Sequence, residues 1–109
     1  MEDARQKGNG CFKAGKLDDA VTEYQVAVDL YTALPKEERT AVGNVDEVSK
    51  SMGNQVMCLH RLKQFEKCVK AATSAIAINP FLAKAHGFLG MALLDSCGDD
   101  IVKEPKTLY

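Results

Sequence analysis

The chain has 109 residues, of which 46% are apolar and 27% are charged, a composition typical of one globular domain. Its 14 Lys and Arg nearly balance its 15 Asp and Glu, so the net charge of −1 excludes bulk binding to nucleic acid or to an anionic membrane. The sequence shows neither a run of the roughly 18 apolar residues that cross a bilayer nor a secretory signal, so we expect a cytoplasmic or nuclear protein.

The first predicted element contains three residues that disfavour helices, Gly8, Asn9 and Gly10. A glycine costs a helix interior about 1 kcal/mol relative to alanine, and asparagine prefers caps and turns. Taken alone, the triplet predicts a turn. Because the residues on both sides have helical character, local propensity does not decide between a turn and a helix here.

A strongly amphipathic helix is predicted from Leu17 onward. Apolar or small residues recur at helical spacing over four turns, and acidic side chains lie off this stripe. Gly15, just before it, fits the end of a preceding helix. The stripe consists of Leu17, Ala20, Val21, Tyr24, Ala27, Val28 and Tyr31.

The next segment has a weaker pattern. We expect the amphipathic helix to run to about Leu34 and to end at Pro35. Asn44, followed three residues later by Glu47, is similar to a capping box. The following helix is therefore predicted to begin near or before Val45.

The apolar pattern then returns from Phe65, with the same offsets that follow Leu17. Asn79 and Pro80 end this helix, because a residue before proline disfavours the α region. A third helix is predicted after Phe81, with Gly98 as its end. The repeated stripe consists of Phe65, Cys68, Val69, Ala72, Ala75 and Ile76.

The chain therefore holds a repeated helix–turn–helix, which resembles the tetratricopeptide repeat (TPR) family. The matching residues are Gly8, Cys11, Gly15, Leu17, Ala20, Tyr24 and Ala27, then Leu59, Phe65, Ala75 and Pro80, then Leu89, Gly90 and Leu93. The resemblance implies an all-α fold of antiparallel helix–turn–helix repeats, with about two and a half repeats and five main helices.

The resemblance also implies an organisation for the single domain at 1–109. Tyr24 and Ala72 lie 48 residues apart, whereas the family spacing is about 34, so roughly 14 residues are inserted. The expected units are repeat one at 2–34, extended helices around the insertion at 31–50, repeat two at 45–79, a capping helix at 81–96 and a tail at 97–109.

In such repeats the first helix packs tightly against its neighbours. A side chain at Gly8 would then collide with a packed helix, which explains the glycine, and Asn9 would face the shared groove. A loop at residues 8 to 10 is the alternative.

The resemblance further suggests a ligand. Co-chaperone members of the family use two Lys, two Asn and one Arg to hold the terminal Asp of the acidic Glu-Glu-Val-Asp tail of heat-shock chaperones, and charge-assisted bonds suit its two carboxylates. Four positions carry suitable donors, Arg5, Asn9, Asn54 and Lys84, and Phe88 stands where Arg is usual. Loss of that Arg removes an interaction of about 1.5–3 kcal/mol.

We therefore expect a non-enzymatic protein–protein interaction module that binds an acidic C-terminal tail weakly, or a tail with an apolar residue near Phe88. Lys13 is a further cation on the same helix as Arg5, although a solvated surface charge is the simpler interpretation. One alternative is a scaffold for a different peptide or protein. Another is self-association through "FLGMALL", which has no following helix to cover it.

The remaining reactive residues do not suggest catalysis or a cofactor. The four cysteines, Cys11, Cys58, Cys68 and Cys97, form no C-x-x-C pair, so we expect reduced packing residues and neither zinc nor another metal. His60 and His86 have no neighbours in sequence that suggest a catalytic triad.

Overall fold

The chain folds into consecutive helices joined by short turns. The computed structural model describes residues 2–103, with side chains for residues 2–95, and this part of the chain contains helices and no strand. The helices are α1 (Glu2–Lys13), α2 (Leu17–Thr32), α3 (Lys36–Arg39), α4 (Val42–Arg61), α5 (Phe65–Ile78) and α6 (Ala83–Lys103). No helix in the described range is both long and apolar enough to span a bilayer.

Each long helix packs against the next one along the chain. The α1–α2 turn carries Gly15 at a φ of +79°, in the left-handed region that glycine adopts freely. Helix α4 is central, because it contacts α2 and α5 and also α1 and α6. The predicted all-α arrangement of antiparallel helix–turn–helix pairs is confirmed, and it places α1, α4 and α6 side by side.

Helix α1 runs without a break through Gly8, Asn9 and Gly10, so the alternative of a loop there is wrong. Gly8 is buried against the ring of Tyr24 from α2. The helix forms despite poor local propensity because this close approach lets the two helices pack together.

The inserted segment lengthens α4 at its N-terminal end. Helix α2 ends at Thr32, and Pro35 precedes the single turn of α3. Helix α4 then begins at Val42, so the predicted capping box is wrong. Asn44 lies inside the first turn of α4, where its Nδ2 donates to the Glu38 carbonyl oxygen at 2.8 Å.

Helix α6 is longer than the sequence predicts. It continues to Lys103, so Gly98 lies within the helix and does not end it. A single glycine costs about 1 kcal/mol, which neighbouring turns can offset. The predicted tail at 97–109 is therefore helical as far as Lys103, and its last six residues lie outside the described part of the chain.

The core forms where the helical stripes meet. Cys58 and Cys68 are fully buried free thiols, Cys11 is half-buried, and the side chain of Cys97 lies outside the described residues. Apolar side chains of α2, α4, α5 and α6 fill the interior. Its larger buried members are Tyr24, Val28, Tyr31, Val48, Met52, Val56 and Leu59.

Candidate peptide-binding site

Residues of α1, α4 and α6 and of the α5–α6 turn enclose an open cleft of about 270 Å³, called here the polar cleft. Three of the predicted site residues line it, each from a different helix: Arg5, Asn54 and Lys84. Its other lining residues are Asp46, Ser49, Lys50, Gly53, Asn79 and Leu82.

A chain of hydrogen bonds connects these helices. Lys84 Nζ donates to Asn54 Oδ1 at 2.9 Å, and Asn54 Nδ2 donates to Asn9 Oδ1 at 3.3 Å. The Tyr24 hydroxyl donates to the same Asn9 oxygen at 2.6 Å. The network holds Asn9 and Asn54 in fixed orientations, which explains two asparagines inside helices. Asn9 reaches the polar cleft through Asn54 and does not line it directly.

Gly53 allows α4 and α6 to approach at this point. A Cβ on Gly53 would lie 3.2 Å from Cδ of Lys84, so the lysine stem crosses the place where a side chain would project. Each asparagine of the hydrogen-bond chain directly follows a glycine, Gly8 before Asn9 in α1 and Gly53 before Asn54 in α4. In each helix the glycine provides room for a neighbour and the asparagine provides polar groups.

The three cations of the polar cleft have different partners. Arg5 Nε lies 2.8 Å from Glu47 Oε1, and both side chains are less than one-fifth exposed, at 18% and 19%. Lys50 Nζ lies 3.5 Å from Asp46 Oδ2 in an exposed pair. The Lys84 ammonium has one hydrogen-bond partner among the described residues, the neutral amide of Asn54. Lys84 is therefore the cation of the cleft whose charge no carboxylate of the described chain balances.

Two predicted site residues lie elsewhere. Phe88 is half-buried, packs against the apolar cluster around Val56 and Leu59, and lies with its ring 5.4 Å from that of His60. Lys13 is exposed at the end of α1. Neither lines the polar cleft, so Phe88 does not form the apolar wall there that the sequence suggested.

Sequence reasoning missed several residues of this site. Lys50 and Glu47 precede Asn54 by four and seven residues, which places all three on one face of α4. That spacing could have identified them once Asn54 was assigned to the cleft. Asn79 donates from Nδ2 to Ser49 Oγ at 3.1 Å, a contact that no local pattern predicts.

A second pocket of about 330 Å³ adjoins the polar cleft and is called here the end pocket. The two share Asp46 and Asn79 as lining residues, so they lie next to each other. Val42, which lines the end pocket, is 85% exposed, and Phe81, whose amide donates to Asn79 Oδ1, is 92% exposed. Large apolar side chains are therefore displayed beside a charged cleft.

Burial alters the acid–base behaviour of groups behind the cleft. Burial raises the pKa of the Tyr24 phenol above its ordinary value of 10.0, so the hydroxyl stays protonated and donates to Asn9. Burial likewise raises the pKa of the Cys58 thiol, although nearby Arg61 and Lys84 act in the opposite direction. A thiol with a raised pKa is a poor nucleophile at neutral pH.

Comparison with known proteins gives partial matches to two kinds of protein. The chain is 33% identical over 82 residues to the mitochondrial import receptor subunit TOM70 of human and of mouse, which covers 75% of this chain and 12% of TOM70. It is 26% identical over 80 residues to mouse sperm-associated antigen 1, which covers 73% of this chain and 8% of that protein.

These matches are segmental, because the chain spans only 8–12% of the length of these relatives. No family model matches the chain, and no solved structure matches it. The similarity is therefore between this chain and one part of each larger protein, and the antiparallel helical fold is the firm structural conclusion.

Proposed function

We propose that this chain is a non-enzymatic TPR-type interaction module whose polar cleft binds the C-terminal end of an acidic peptide. The observation that carries the proposal is the position of Lys84 beside Asn54 and Arg5 from two other helices. Lys84 has no carboxylate partner within residues 2–95, whose side chains the structure describes. An ammonium group has three donors, and the contact with Asn54 uses one. Two donors remain for a ligand carboxylate.

The acidic tails of heat-shock chaperones are the ligands that the TPR resemblance suggests. The partial match to TOM70 supports a role in binding proteins, since that relative is named as a receptor subunit. Asn9 supports the cleft from behind, because its carbonyl oxygen accepts from the Asn54 amide and so orients Asn54. The identity of the tail and a cytoplasmic location are parts of this proposal.

A fluorescence-anisotropy titration tests the proposal with a labelled peptide that ends in Glu-Glu-Val-Asp. We expect saturable binding, and we expect Lys84→Gln and Asn54→Ala each to weaken it about tenfold, because each variant removes a donor to a charged group. The same peptide with an amidated C-terminus should bind more weakly.

Matched variants separate a local effect from a general one. Lys70 is 77% exposed on α5, outside the polar cleft, so Lys70→Gln removes the same charge without touching the site. Asn44→Ala is the matched control for Asn54→Ala, because it replaces another asparagine of α4 that does not line the cleft. If these controls weaken binding as much as the cleft variants do, or if no peptide saturates at high micromolar concentration, the proposal is wrong.

Self-association is a second candidate that one observation favours. Met91 and Leu94 are 47% and 67% exposed on α6, so this helix presents apolar side chains to solvent. Light scattering at high protein concentration tests it, and Leu94→Glu should shift any dimer to monomer. A strictly monomeric protein over the whole concentration range would eliminate this candidate.

A further inference from the structure

The contact between Arg5 and Glu47 occurs inside the proposed site. Arg5 Nε donates to Glu47 Oε1 at 2.8 Å, and the pair is largely shielded from water. Charge-assisted hydrogen bonds of this kind are stronger than neutral ones, and partial burial reduces their screening by salt. The guanidinium that the cleft would offer to a ligand is therefore already bound to a carboxylate of the same chain.

Glu47 is placed there by the inserted segment. The early start of α4 at Val42 adds turns before Asn54, and Glu47 lies seven residues before Asn54 on the same helix face. Its only described partner is Arg5. A ligand carboxylate that took Arg5 would leave Glu47 partly buried without a partner, which is unfavourable.

The charges of the cleft then favour one ligand carboxylate over two. Arg5 is balanced by Glu47, with the exposed carboxylate of Glu2 3.9 Å from its Nη2, and Lys50 is balanced by Asp46. Among the described residues, this leaves Lys84 as the cation without a carboxylate at hand. A first carboxylate can bind Lys84 and the amides near it. A second one would approach Arg5 and meet the negative charge of Glu47 at close range.

We propose that Glu47 is a specificity-determining residue, which sets the cleft to bind a peptide end with a single carboxylate as readily as one with two. This inference rests on the proposed function, and it further specifies how many carboxylates the preferred ligand carries at its end. The chemistry of the preferred ligand is a free C-terminal α-carboxylate whose last side chain need not be acidic.

The test is a two-by-two titration of peptides against proteins. One peptide ends in Asp and the other in Asn, so both keep the α-carboxylate and differ by one charge. The proteins are the native chain and Glu47→Gln, which keeps an oxygen acceptor for Arg5 Nε and removes the charge. The native chain should favour the Asp peptide by less than about threefold, and Glu47→Gln should raise that preference to about tenfold.

The control is Glu66→Gln, the same change at a side chain that is 87% exposed on α5 and 3.8 Å from Lys70 Nζ. It should leave the preference unchanged. The preference is a ratio within each protein, so a partly unfolded variant affects both titrations equally. An equal preference in the native chain and in Glu47→Gln overturns the role of Glu47 but leaves peptide binding in place. An absence of binding in all four titrations overturns the proposed function as well.

Discussion

A Cβ atom placed on Gly8 would lie 2.5 Å from Cε1 of Tyr24, closer than such atoms approach in folded proteins. The ring is only 1% exposed, and its hydroxyl donates to Asn9, so it is held in place from several sides. We expect Gly8→Ala to lower the free energy of unfolding by about 1–3 kcal/mol, although alanine is the better helix former. Urea unfolding followed by circular dichroism measures the change.

Gly10 provides the matched control on the same helix. A Cβ on Gly10 meets nothing within 4 Å, so Gly10→Ala should raise the free energy of unfolding by about 0.5–1 kcal/mol. Similar effects of the two substitutions would show that helix propensity, and not the contact with Tyr24, decides the residue at position 8.

The packing of Phe88 predicts the effect of an arginine at this position. Phe88 contacts the cluster that includes Val56 and Leu59, so Phe88→Arg should lower the free energy of unfolding by about 2–4 kcal/mol. Met91→Arg places the same side chain at an exposed position of α6 and should change stability by less than about 0.5 kcal/mol. Thermal unfolding of both variants tests the difference.

Much of the fold was predictable because its signals are local and repeated. The stripe from Leu17 and its copy from Phe65 predicted α2 and α5, and Gly8 indicated that the first helix packs closely against a neighbour. The capping role of Asn44 was predicted wrongly because contacts outside α4 act on the segment before it. The Asn44 side chain bonds to Glu38, and the Tyr31 hydroxyl bonds to the carbonyl oxygen of Arg39.

The candidate site was predictable in part for a different reason. The resemblance to TPR repeats singled out Arg5, Asn54 and Lys84, which the fold brings together in the polar cleft. The partner of Arg5 could not be read from spacing, because Arg5 and Glu47 are 42 residues apart and meet only through the register of α1 against α4. The same register decides that Phe88 faces His60 and not the cleft.

The end pocket predicts a preference for an apolar residue upstream of the peptide's C-terminus. Val42 is 85% exposed, so Val42→Ser should change the free energy of unfolding by less than about 0.5 kcal/mol. It should weaken binding of a peptide with such an apolar residue about three- to tenfold, since contact with apolar surface is lost. Anisotropy titrations with peptides that carry Ile or Ser at that position measure the effect.

Val26 provides the same substitution away from the site, because it is 42% exposed on α2 and does not line either pocket. Val26→Ser should leave both affinities unchanged. If Val42→Ser weakens the Ile and Ser peptides equally, the end pocket does not bind the upstream side chain.

The buried thiols predict how stability depends on pH. Burial raises the pKa of Cys58 and of Cys68 above their ordinary value of 9.0, so above that pH the unfolded chain loses these protons before the folded chain does. The folded state then binds more protons, and the free energy of unfolding falls as pH rises, by at most about 1.4 kcal/mol per pH unit for each group. Tyr24 adds to the fall above its ordinary value of 10.0.

Urea unfolding at pH 7, 8, 9 and 10 checks this dependence. These groups should contribute nothing between pH 7 and 8, because they are protonated in both states, and the decline should begin near pH 9. The double variant Cys58→Ala, Cys68→Ala is less stable at every pH, but its decline above pH 9 should be shallower, since two titrating groups are absent. The slope is compared within each protein, so the lower stability of the variant does not affect the result. An identical slope in the two proteins would show that these thiols are not the source of the alkaline loss.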